Sequence, residues 1–104
     1  MKESLIRKKA IQILEKKKWI IWWPSKVKFK QSDIFGIFDM VCWEQITGHL
    51  KFIQLTTISN LSTRRKKIQY FLKKNKINPK ITYNAGVEIW AWNGNKKTFK
   101  IELI

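Results

Sequence analysis

Apolar residues near the start of the chain recur at helical spacing. Ile6, Ala10, Ile13 and Leu14 follow an i, i+4, i+7, i+8 pattern, and lysines fill the other face. The spacing predicts a helix over 4–17, with Ser4 at its N-cap. The pattern then changes period. WIIWWP, 19–24, is β-rich and stopped by Pro24. KVKFK, 26–30, alternates and reads as a half-exposed strand. GIFDMVCW, 36–43, and KFIQLTT, 51–57, read as two further strands joined by EQITGH, which carries the turn glycine Gly48.

Helical spacing returns in SNLSTRRKKIQYFLKKNK, 59–76. Leu61, Ile68, Phe71 and Leu72 form its apolar stripe, Asn60 or Ser62 can cap it, and Asn78-Pro79 ends it. GVEIWAWN and TFKIELI follow as alternating strands around the turn NGNKK. The order is helix, three strands, helix, two strands, with no internal repeat or linker. Residues 1–104 are therefore expected to form a single α/β (α+β) domain, a central mixed sheet flanked by helices.

Composition narrows the chemistry. One cysteine, Cys42, excludes an intrachain disulfide and a thiolate metal cluster, and it alternates with Phe38 and Met40 as a small buried hydrophobe. One histidine, His49, excludes a His-rich metal site and argues against a Ser-His-Asp triad. Carboxylates remain as metal ligands, and they suit a hard cation such as Mg²⁺. No apolar run reaches the ~18 residues needed to span a bilayer. The N-terminus is too charged and too periodic for a signal peptide. A soluble cytoplasmic protein is expected, with no membrane partner and no small-molecule cofactor.

The formal net charge is +15, from 22 basic and 7 acidic residues. That imbalance favours a polyanionic partner, most simply DNA. Nineteen of the 22 are lysines, which an AT-rich genome would also produce, but such a bias does not by itself explain the scarcity of acids.

Polar residues interrupt two of the strands. Asp39 sits among Ile37, Val41 and Trp43, where an unpaired carboxylate is costly. Gln54 shares a face of KFIQLTT with Phe52 and Thr56. If the two strands pair through the 44–49 connection, Asp39 and Gln54 lie close across the ladder. An Asp oxygen and a Gln carbonyl are both ligands for Mg²⁺, which can activate water against a phosphodiester. Simpler roles compete: Asp39 accepting backbone N–H groups, Gln54 as a satisfied buried amide, and Asp33 as a turn residue before Gly36.

With those residues in view, the chain resembles the PD-(D/E)xK nuclease superfamily, which includes archaeal Holliday junction resolvases and many restriction enzymes. The likeness rests on DIFGIFDMVCW…FIQLTTISNLSTRRKK and on the element order. It covers roughly residues 3 to 92. It also extends to small phage and archaeal-virus proteins of similar pattern. The resemblance implies a restriction-endonuclease-like αβββαβ core with an extra C-terminal strand. It implies a metal-dependent DNA endonuclease, using Mg²⁺ or Mn²⁺ and acting on DNA that includes branched substrates such as a Holliday junction, and a homodimer that cuts two strands symmetrically. Asp39 matches the motif Asp and Gln54 the motif Glu or Gln, and these two would hold the metal. Asp33, and Glu3 or Glu15 on the first helix, are candidates to complete the shell. The motif lysine should stand at 56, where this chain has Thr56, which cannot stabilise a developing phosphorane charge. Lys51, Arg64, Arg65 and Lys67 are candidate substitutes.

The run Arg64, Arg65, Lys66, Lys67, together with Lys28 and Lys30, is expected to contact phosphates. The alternative is a solvated helix face. Most of the six tryptophans read as core; one or two exposed ones would stack on unpaired bases or bury a dimer contact. Two rivals to the nuclease remain: a catalytically inactive nuclease-fold DNA-binding protein, and an interaction protein working through exposed tryptophans.

Overall fold

The computed structural model describes residues 3–24, 26–27, 30–31, 33–78 and 85–104. Helix α1 (Glu3–Lys16) leads into strand β1 (Trp19–Trp22). A two-rung hairpin of β2 (Lys26–Val27) and β3 (Lys30–Gln31) precedes β4 (Met40–Glu44) and β5 (Leu50–Thr57). A 3₁₀ turn (Ile58–Asn60) opens α2 (Leu61–Lys74), and β6 (Ala85–Asn93) and β7 (Thr98–Leu103) close the chain. Five strands make one mixed sheet in the order β1-β4-β5-β6-β7. Among the described strands only β5 and β6 run parallel. A parallel pair needs a crossover rather than a tight turn, and α2 lies in that connection.

The two helices cover opposite faces. Ile6, Ala10 and Leu14 of α1 pack on Met40, Cys42, Ile53, Leu55, Trp90 and Trp92. Leu61, Ile68 and Leu72 of α2 pack with Val87, Ile89 and Ala91, and with Ile37 and Phe38 ahead of β4. β6 lies between both layers, so Val87 through Trp92 are all buried, polar Glu88 included. Each large apolar side chain so buried stabilises the fold by about 1.5–3 kcal/mol. No described helix is long and apolar enough to cross a membrane.

Several local expectations are corrected. Ser4 lies inside α1, which is already helical at Glu3. KVKFK is not one strand: its two ends fall in β2 and β3, which pair antiparallel, and Lys28 and Phe29 lie outside the described residues. The strand expected from 36 begins at Met40, because residues 34–38 fold into a turn. Ile34 and Phe38 bridge each other, and Phe35 and Gly36 take positive φ of 56° and 71°. Gly36 suits that conformation, whereas a phenylalanine there is strained. Asn60 precedes α2 without a side-chain capping bond, and Ser62 lies within the helix. The helix ends before Asn78. Ile77 N–H donates to the Leu72 carbonyl and Lys76 N–H to that of Lys73, with Lys76 at φ 56°. This is a Schellman closure made without glycine. Pro79 lies outside the described residues.

Candidate functional site

Register brings the two polar strand residues together. Met40 pairs with Ile53 in the antiparallel β4–β5 ladder. The next rung sets Asp39 against Gln54, and Asp39 N–H donates to the Ile53 carbonyl at 2.9 Å. Both side chains face the α2 side of the sheet, in line with Phe52. The Asp39 Oδ2 accepts the Leu55 N–H at 2.6 Å and the Gln54 Nε2–H at 3.3 Å. Asp39 is 9% and Gln54 3% exposed. A carboxylate at such depth is tolerable because charge-assisted bonds offset lost hydration.

Gln54 is less well served. Donating to Asp39 turns its carbonyl oxygen the other way, and Oε1 is buried with no hydrogen-bond partner among the described residues. An orphaned buried acceptor costs about 1–3 kcal/mol and calls for an explanation. Gln54 lines a cleft of about 190 Å³ together with Ile6, Asp33, Asp39, Leu55, Thr56, Thr57, Asn60 and Arg64. The cleft is thus bounded by α1, by the turn ahead of β4, by the end of β5 and by the start of α2. Its donors are hard oxygens: two carboxylates and an amide carbonyl. That set fits a divalent cation of the Mg²⁺ type, and the orphan oxygen is the observation in favour. Among the described residues no group of three or more His, Cys, Asp or Glu side chains gathers, so water or substrate oxygens would have to complete any coordination shell.

The other site candidates scatter. Asp33 reaches the cleft from an exposed position, and its carbonyl also accepts the Gly36 N–H at 3.2 Å, so it serves as a turn residue as well. Glu3 opens α1 one turn before Ile6, but its side chain is not among those described. Glu15 lies near the far end of the same helix. Lys51 is not brought to the cleft. It faces the α1 side, with Nζ 3.2 Å from Glu88 Oε2 and 4.3 Å from the Trp19 ring centre. Trp90 Nε1–H donates to the other Glu88 oxygen at 2.9 Å. This buried network was not foreseen, because Glu88 shares its strand face with two tryptophans and shows its partner only in three dimensions.

Arg65 is not at the cleft either. It grips Glu102 of β7 through Nε and through Nη2, the latter at 2.8 Å. Arg65's hydrogen bond holds the Glu102 carboxyl below its ordinary range. Arg64, half-buried at the cleft mouth, has no ion-pair partner among the described residues. Lys66 and Lys67 are exposed on the same helix. Lys28 lies outside the described residues, and Lys30 is placed in β3 by its backbone alone. Thr56 is 8% exposed and lines the cleft. Asn60 and Thr57 join it as lining residues that periodicity could not single out. Cys42 takes no part: burial pushes its thiol up to about 12. Scans against known protein families, curated proteins and solved structures return no match for this chain.

Proposed function

We propose that this protein is a metal-dependent DNA endonuclease of the PD-(D/E)xK type, acting on branched DNA such as a Holliday junction. The observation that carries the reading is the buried, unpartnered Gln54 Oε1 beside Asp39 in a cleft that also holds Asp33 and Arg64. The order of helices and strands and the mixed sheet are compatible with a restriction-endonuclease-like core carrying one extra strand.

In this reading Asp39, Gln54 and Asp33 hold Mg²⁺ or Mn²⁺. When bound, such a cation polarises the phosphodiester and lowers the pKa of water. The chain's own residues have distinct tasks. The Leu55 N–H fixes the Asp39 carboxylate, and Asp39 holds the Gln54 amide by its N–H, leaving the carbonyl oxygen available as a ligand. Arg64 offers positive charge to the phosphate undergoing attack, the task that Thr56 cannot perform. Lys66 and Lys67 extend that charge along α2 toward neighbouring phosphates.

A second reading has its own observation. Thr56 is buried at the motif-lysine position, and no lysine lines the cleft among the described residues. The protein would then be a catalytically inactive nuclease-fold binder of DNA. One experiment separates the two: cleavage of labelled four-way junction, duplex and single-stranded DNA with Mg²⁺ or Mn²⁺ against EDTA, in wild type and Asp39→Asn. Cation-dependent cleavage abolished by Asp39→Asn is expected. Salt-sensitive binding with no cleavage under either cation would leave the inactive reading, and absence of DNA binding at low salt would remove both.

A further inference from the structure

β1 is an edge strand, and its outer backbone edge pairs with no described strand. Exposed edges are normally blunted by charge, as on the opposite edge, where β7 carries Lys100 and Glu102. β1 has no such protection. WIIWW is an uncharged island between Lys16–Lys18 and the basic hairpin that follows, in a chain of net charge +15. Register extends the island sideways. Ile20 pairs with Trp43, Trp22 with Val41, and Trp43 with Leu50, all on the α2 side of the sheet. Helix α2 sits over β5 and β6 and leaves this end open. Ile20 is 45%, Trp22 57%, Trp43 50% and Leu50 36% exposed.

We infer that this edge and face bind a second copy of the chain, by antiparallel β1–β1′ pairing about a two-fold axis. Self-complementarity supports that occupant. A two-fold axis perpendicular to the sheet keeps each side chain on its own face, so it can pair only residues of equal parity along the strand. Centring it on Ile21 sets Ile20 against the partner copy's Trp22, and every facing position is then apolar. Centring it on Ile20 would press Trp22 against the partner copy's Lys18.

The size is adequate. Taking roughly 200–250 Å² for a whole tryptophan, the four exposed side chains offer on the order of 400 Å². That is about half of the ~800 Å² per partner in a standard interface, before the backbone edge and its rim are counted. Like-charged copies repel each other least at a surface free of charged side chains, and Ile20, Trp22, Trp43 and Leu50 carry none. The pairing would join two five-stranded sheets and set both clefts on one face, with the two β5 strands five spacings, about 24 Å, apart.

The test is sedimentation velocity at physiological salt, which screens the net charge. It compares wild type, Trp22→Lys, and Ile101→Lys as a control at the exposed opposite edge (44% exposed). Circular dichroism confirms that each variant is folded. A wild-type dimer is expected, with Trp22→Lys raising its dissociation constant by about 100-fold or more, as loss of a central anchor does, and Ile101→Lys leaving it unchanged. In a Cys42→Ala background, which removes the thiol facing position 21 across the β1–β4 ladder, Ile21→Cys should form an intermolecular disulfide under mild oxidation. A monomeric wild type, or a dimer that survives Trp22→Lys, overturns the inference. So does a Trp22→Lys variant of unchanged mass but weakened single-stranded DNA binding, which would make these tryptophans a base-stacking platform instead.

Discussion

Replacing Gln54 by methionine separates a cation ligand from a structural amide. Methionine keeps the length of the side chain but removes both the carbonyl that lacks a partner and the N–H given to Asp39. Losing the orphan acceptor returns about 1–3 kcal/mol. Losing the Asp39 bond, long at 3.3 Å, removes about 1 kcal/mol, and Asp39 keeps its Leu55 N–H. In EDTA the variant should therefore be as stable as wild type or up to about 2 kcal/mol more stable, a Tm rise of at most roughly 16 °C for a domain of this size. Cation addition should then split the two proteins. At tenfold its Kd, a ligand that binds only the folded state adds about 1.4 kcal/mol, or roughly 6–11 °C. Wild type should show that shift with Mg²⁺ or Mn²⁺, and Gln54→Met should not. Thermal denaturation across a cation titration reads both numbers. An equal shift in the two proteins, or none in wild type, refutes the ligand role. A loss of more than about 2 kcal/mol in EDTA would show that the amide was satisfied all along.

Arg64→Ala should weaken DNA binding and lower the slope of log K against log salt by about 0.9, whereas Arg65→Ala should leave that slope nearly unchanged; filter binding across a salt series measures both. Arg65 instead ties α2 to β7. Because its hydrogen bond lowers the Glu102 carboxyl, the contribution is present above the ordinary glutamate value and lost as the pH falls through the lower folded-state value. The stability gap between wild type and Arg65→Ala, measured by urea denaturation, should shrink from about pH 5 to pH 3 and stay small throughout, since both side chains are partly solvated. A gap that widens on acidification would contradict that assignment. Cys42, with its thiol at about 12, should react with iodoacetamide at pH 8 about a thousandfold more slowly in the native protein than in denaturant. Ile68→Ala, at a fully buried position of α2, should cost about 2–5 kcal/mol by the same urea assay.

Periodicity alone carried the helices and most of the strands, because each amphipathic element has one face that must leave water. Ile6, Ala10 and Leu14 are buried as their spacing implies, and so are Ile68 and Leu72. Boundaries were less legible. The turn over 34–38 is built from apolar residues that read as a strand, and it forms because Ile34 and Phe38 bond to each other while Gly36 accepts a positive φ. The closeness of Asp39 and Gln54 followed from strand pairing, since alternation and a short connection leave few registers that bury the right faces. The roles of the basic residues did not follow. Arg64 and Arg65 are adjacent and chemically identical, and a helix turns about 100° per residue, so one faces the cleft and the other faces Glu102. Lys51 and Glu88 likewise meet only because β5 and β6 run side by side. Local pattern determined what each element buries. Only the tertiary structure decided which charges meet, because electrostatic partners are set by distance in space and carry no period along the chain.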